Sequence, residues 1–250
     1  LPFVFGIQSD IRYQMAVNGY LTNYPNFNQN YTQVKGKTLN MTAGIDLMPD
    51  FRVDLIADRL KSDNFVEQYD ATNGIYTPRS PYSTGNYSIS TILIKTSFKS
   101  SSDTFSDTFE SFKDNRLTIA NRLAEQFYNG DIPRYGEGKY TIQPGFDKEK
   151  QDFYNANKGY PIGFGKNSQQ VLIPSFLSAY SGNDASDYST KTFKTFPLPN
   201  WTIKYSGLMR LSWFKDNFKR FSLHHGYKAT YSINAYRSNF EYDKDPGNNK

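Results

Sequence analysis

Apolar and polar residues alternate with a period of two along much of this chain. Over 3–21 the odd positions include Phe3, Phe5, Ile7, Ile11, Tyr13, Met15, Val17 and Leu21, and the even positions between them include Gln8, Asp10, Arg12, Gln14 and Asn18. Successive side chains of a strand point to opposite faces, so this pattern predicts a two-faced strand over about 3–22. In 39–47, Leu39, Met41, Ala43, Ile45 and Leu47 alternate with Asn40, Thr42, Gly44 and Asp46, and Met48-Pro49-Asp50 then predicts a tight turn. Phe51, Val53 and Leu55 resume the alternation against Arg52 and Asp54. Together these patterns predict strands near 3–22, 37–48, 51–60, 87–98, 200–213 and 221–237.

The last two segments are the clearest. Trp201, Ile203 and Tyr205, then Phe221, Leu223, Tyr227, Tyr231 and Ile233, form one face; Lys204 and Arg210, then His224, Lys228, Thr230 and Ser232, form the other. Strands of globular proteins usually run to about 5–6 residues, whereas a strand crossing a bilayer needs about 9–11. Long two-faced strands with a small or polar second face predict an antiparallel transmembrane β-barrel: the apolar set faces lipid and the polar set faces the lumen. Trp201 and Trp213, near the two ends of one predicted strand, suit the aromatic girdles at the two bilayer interfaces. A soluble β-sandwich also alternates and also carries aromatics; strand length favours the membrane. Six strands are too few to close a barrel, since closed bacterial barrels start at eight. The expected fold is therefore a segment of a larger barrel, with about four strands in 1–98 and about two in 200–250.

Between them, 99–199 breaks the pattern. Phe109, Phe112, Ile119, Ala120, Leu123, Ala124 and Phe127 recur at helical spacing and predict a helix near 107–129, capped by Ser106 or Asp107 and closed by Gly130. Residues 130–170 predict irregular structure, 169–180 a short helix, and Phe196-Pro197-Leu198-Pro199 extended chain. So long a block reads as a partly helical insertion facing the lumen or the periplasm.

Composition changes the picture little. The 250 residues include 20 Tyr and 20 Phe but no Cys, which excludes disulfides and Cys-ligated metal sites. The net charge of +5 is scattered rather than clustered, so no nucleic-acid partner is expected. No run of residues is long and apolar enough for a membrane helix. Leu1 to Gly6 lacks a charged leader and reads as mid-strand, as in a mature product or a fragment.

The candidate motifs are weak. Gly36-Lys37-Thr38 matches the tail of a phosphate loop, but Tyr31 stands where its first glycine is required; it reads as a loop entering a strand. Gly163-Phe164-Gly165 begins a dinucleotide-type run that Ser168 interrupts. His224 and His225 are neighbours on a strand and so point to opposite faces. Asp103, Asp107 and Glu110 suit capping of the helix that follows. Asn30, Asn40, Asn86 and Asn200 begin Asn-x-Ser/Thr tripeptides of the kind expected in so Asn-rich a chain. No catalytic group, metal site or cofactor is expected.

Three stretches carry a resemblance. Gln170-Val171-Leu172-Ile173-Pro174-Ser175-Phe176-Leu177-Ser178-Ala179-Tyr180-Ser181-Gly182, Pro197-Leu198-Pro199-Asn200-Trp201-Thr202-Ile203-Lys204-Tyr205-Ser206-Gly207-Leu208 and Phe221-Ser222-Leu223-His224-His225-Gly226-Tyr227-Lys228-Ala229-Thr230-Tyr231-Ser232 resemble the C-terminal part of the SprA/Sov family. The resemblance covers about 170–235. It implies a giant single-chain barrel of ~36 strands that conducts folded cargo across the outer membrane in type IX secretion, a system tied to gliding motility. It also implies a PorV-like barrel, a periplasmic plug protein, secreted cargo and outer-membrane lipid as partners. The alternatives are another outer-membrane transporter or porin, and a soluble β-rich glycan-binding protein.

Overall fold

The structure, a computed structural model, describes residues 9–22 and 30–238. It contains a six-stranded antiparallel sheet and several helices: α1 (Arg12–Val17), β1 (Asn30–Met48), β2 (Phe51–Asp70), β3 (Thr77–Ser90), α2 (Ile94–Ser97), α3 (Asp107–Phe127), α4 (Lys148–Ala156), α5 (Gln169–Ser181), β4 (Asn200–Tyr205), α6 (Ser212–Asn217), β5 (Leu223–Tyr227) and β6 (Thr230–Ser238). The sheet order is β5-β4-β2-β3-β6, with β1 also paired to β2. Among the described residues no helix is long and apolar enough to cross a membrane.

On one edge of β2, β4 pairs antiparallel with 51–56, from Phe51↔Tyr205 to Ile56↔Asn200. The same edge continues into β3, whose last residue, Ser90, accepts a hydrogen bond from the Asp58 N–H at 3.0 Å. Ser90, at the end of β3, and Leu198, just before β4, therefore meet beside Asp58 of β2 although 91–199 separates the two strands in sequence. The Ser90 hydroxyl closes the seam by donating to the Leu198 carbonyl at 2.7 Å. β5 and β6, separated only by Lys228 and Ala229, pair with β4 and β3 respectively. The Ala229 N–H is held there by the Asn200 side chain at 2.9 Å.

Two compact units are distinguished by their internal contacts. One comprises, among the described residues, 9–22, 30–38, 60–88 and 232–238. In it α1 packs Ala16 against Ala71 and Tyr76. The Arg12 guanidinium contacts Glu67 at 2.6 Å and Asp10 at 2.7 Å, and the Tyr76 hydroxyl donates to Glu67 at 2.7 Å. Glu67 is buried, so these partners supply what water would otherwise give it. The rings of Tyr31 and Phe65 flank the same guanidinium at 5.3 Å.

The other unit comprises, among the described residues, 39–59 and 89–231. Its helical part is built on α3 and α5. Ser106 caps α3, its side chain accepting from the Phe109 N–H, and Asp107 and Glu110 occupy the first turn. α5 ends on Gly182 at φ 65°, the left-handed conformation that glycine adopts without strain. Ala120, Ala124, Phe164 and Val171 form a closed core. Ser175 and Ser178 are also fully buried; they return their hydroxyls to helix carbonyls, and Asn115 donates to Ser178 at 2.8 Å.

Several expected boundaries change. Of the strand expected over 3–22, residues 1–8, including the Leu1–Gly6 stretch, lie outside the described residues, and 12–17 form α1 rather than strand. Asp10 accepts from the Arg12 N–H and starts a local turn, and burial of Ala16 then rewards helix over extension. β1 and β2 are longer than expected, and Gly36-Lys37-Thr38 lies within β1 rather than in a loop. The strand expected over 87–98 ends at Ser90. The strand expected over 200–213 ends at Tyr205, because Leu208, Leu211, Phe214 and Phe218 also recur at helical spacing and a 3-10 turn and α6 follow. α4, capped by Asp147, falls where irregular structure was expected.

Candidate functional site

The register of four neighbouring strands sorts their side chains onto two faces. Directly opposite residues of an antiparallel pair share a face. Trp201 therefore stands with Leu55 and Tyr227, Ile203 with Val53 and His225, and Tyr205 with Phe51 and Leu223. On the reverse face Lys204 stands with Arg52 and His224, and Thr202 with Asp54 and Gly226. β1 joins this arrangement. Gly44 lies so close to Arg52 and Asp54 that an added Cβ would sit 2.7 Å from the guanidinium, and Asp46 pairs with Arg52 at 3.6 Å. Since Gly44 and Asp46 belong to the charged face, Leu39, Met41, Ala43, Ile45 and Leu47 belong to the apolar one.

The apolar face is covered unevenly. Trp201 stacks on Tyr227 with centroids 4.4 Å apart, and Phe51 meets Tyr205 edge-on at 5.6 Å. At the level of Tyr227 the inserted segment reaches this face: the Tyr227 hydroxyl accepts from the Leu93 N–H at 2.6 Å, and Arg59 donates to the Lys194 carbonyl at 3.0 Å. Toward the β1–β2 turn the apolar side chains are open, with Ile45 41% exposed, Leu47 60% and Leu223 50%.

The charged face is a network. Arg52 contacts Asp54 at 2.9 Å and Lys204 approaches Asp54 to 4.0 Å, while at the strand end Arg210 meets Asp50 at 2.7 Å. An open depression of about 510 Å³ lies here, lined by Arg52, Lys204, Arg210, Arg220, His224 and Asp50 among others. Most of its cations already face carboxylates. Ser222 and His224 stand 3.2 Å apart and exposed. Among the described residues no group of His, Cys, Asp or Glu is arranged to hold a metal ion.

The residues expected at lipid or lumen are thus located. Trp201, Ile203, Tyr205, Leu223 and Tyr227 share one face, and Lys204 and His224 share the other. Tyr231 and Ile233 lie in β6, half-buried, alternating with exposed Thr230 and Ser232. Phe221 and Lys228 lie just outside the strands and Arg210 lies in a 3-10 turn, so strand alternation assigns none of the three a face. Trp213, expected on the same strand as Trp201, is in α6 instead. His224 and His225 point to opposite faces, as neighbours on a strand must. The sequence reading missed the ion-pair network, whose signal was the charge alternation Asp46, Arg52, Asp54, Lys204 on positions already assigned to one face.

Compared with known proteins, the chain matches no family model and no curated sequence.

Proposed function

We propose that this chain is a wall segment of an outer-membrane β-barrel, and that the barrel is the protein-conducting pore of type IX secretion. One observation carries the first part: the open row Leu39, Met41, Ile45 and Leu47, aligned with the apolar rows of β2, β4 and β5 and backed by a face of paired charges. An exposed apolar stripe on a long strand is an association hazard in water. In a bilayer it is the lipid-facing half of a wall. β1 and β2 have 19 and 20 residues, roughly 65 Å at ~3.4 Å per residue. They therefore exceed a hydrocarbon core of ~30 Å and leave room for ordered chain beyond it. In this reading the bilayer lies around the apolar stretch 39–47, at the end nearest the β1–β2 turn and away from Leu93 and Lys194. Pairing between strands satisfies the backbone groups, as hydrocarbon demands, and the charged face borders a wet lumen.

The second part rests on the resemblance of 170–182, 197–208 and 221–232 to the SprA/Sov family. In that reading a wide polar lumen passes folded cargo, and a PorV-like barrel and a periplasmic plug are the partners. The test is depletion of the protein in its host. Cargo of the type IX system should then accumulate in the periplasm while the outer membrane stays intact. Normal secretion together with loss of uptake of a small nutrient would replace this reading with the transporter one. Recovery of the protein in the wash without detergent would remove the wall reading altogether.

A further inference from the structure

The connection between β4 and β5 is built unlike an ordinary loop. It leaves the sheet at the β1–β2 turn, where the Ser206 N–H donates to the Asp50 carbonyl at 2.9 Å. The rings of Trp213, Phe214, Phe218 and Phe221 pack on one another, with centroids 5.0–5.9 Å apart, into a cluster of their own. This packing leaves Trp213 61% exposed and the neighbouring Leu211 55% exposed. Lys215, Lys219 and Arg220 are interleaved with the rings, are exposed, and form no ion pair among the described residues. Asp216 is the one acid between Leu211 and Phe221.

We propose that this connection is an interfacial anchor whose occupant is the headgroup layer of a bilayer carrying anionic, phosphate-bearing lipid. Ring and charge argue for that occupant together. Aromatic side chains settle at headgroup depth because one end is apolar and the other tolerates water. Each cation beside them strengthens association with an anionic surface about fivefold. A protein partner would need a defined acidic groove; a lipid surface needs only this mixture at the end of membrane strands. The inference deepens the wall reading and rests on it for where the bilayer lies. Its lipid preference is a separate property.

The protein supplies its own reporter. Trp201 and Trp213 are its two tryptophans, so Trp201→Phe leaves Trp213 alone. The full chain in neutral detergent micelles is mixed with acyl-brominated phosphatidic acid or, separately, acyl-brominated phosphatidylcholine, and Trp213 fluorescence is followed. The anchor predicts quenching by both, at much lower lipid fraction for phosphatidic acid, and weakening of that preference by salt. Combining Lys215→Gln, Lys219→Gln and Arg220→Gln should reduce the preference about a hundredfold. Equal quenching by the two lipids, or none, would overturn the proposal. So would relief of quenching by inorganic phosphate at matched concentration, which would point to a site for the free anion. The salt titration on the unmodified cations decides the matter if the triple variant does not fold. A chain that shows the lipid preference but is washed from membranes without detergent keeps the anchor and loses the wall.

Discussion

The α3–α5 pair and the turn end of the β1–β2 hairpin use hydrophobic residues in opposite ways. Between the helices, Ile119, Ala120, Ala124 and Val171 are fully buried, the serines among them are satisfied, and the helix ends are capped. The core between the two helices is closed by the chain itself, although Phe109, Leu117 and Phe176 on their outer faces stay exposed. On β1 the apolar positions alternate as regularly, yet Ile45 and Leu47 remain 41% and 60% exposed. The difference teaches that hydrophobic periodicity measures what a segment must be shielded from. What does the shielding is a separate fact: in one region it is the chain itself, and in the other we assign it to lipid.

Substitutions can break or sharpen this contrast. The largest effect is expected where the chain satisfies itself most completely. Arg12→Ala leaves Glu67 buried without its cation and should cost about 3–5 kcal/mol in urea unfolding followed by tyrosine fluorescence. Adding Glu67→Gln should recover much of the loss; no recovery would mean that the guanidinium acts mainly by packing on its ring neighbours. Ile119→Ala should cost ~2–5 kcal/mol, with the same value in water and in detergent. Ile45→Ala in water should change stability by less than ~0.5 kcal/mol, and an equal cost at the two sites would erase the contrast. Ser90→Ala removes both hydrogen bonds at the seam between β3 and β4 and should cost about 1–3 kcal/mol, read as faster amide exchange at Asp58. The smallest effect is a pH dependence. Hydrogen bonding from Arg12 holds the Asp10 carboxyl below its ordinary value. Its contribution is therefore complete above the ordinary carboxylate range, ~3.9, and is lost as pH falls through the lower folded value. Wild type and Asp10→Asn should differ in unfolding midpoint near neutrality and converge in strong acid.

The sequence made parts of β1, β2 and β4 legible, over 39–47, 51–57 and 200–205, because alternation is a local property there; it missed 30–36, 61–70 and most of β3, where the alternation is weak. It made α3 legible for the same reason, since Phe109, Phe112, Ile119 and Leu123 repeat at a helical period. It hid what depends on distant partners. The α1 segment alternates like a strand, but Arg12 turns toward Glu67, which lies 55 positions away. The 206–218 segment satisfies both periods, and position relative to Asp50 decides between them. Nor could alternation show that the two ends of 91–199 meet, since nothing local marks Ser90 and Asn200 as neighbours of Asp58 and Ile56.

The central claim is that oil meets one face of this sheet and water the other. The chain has no cysteine, so single cysteines can be placed at each position from 39 to 47 and spin-labelled without background. In native outer membranes, collision with oxygen, which partitions into lipid, should peak at 39, 41, 43, 45 and 47. Collision with a water-soluble nickel chelate should peak at 40, 42, 44 and 46. Nickel access at Ile45 equal to that at Asp46, or protection of both from either reagent, would contradict the account.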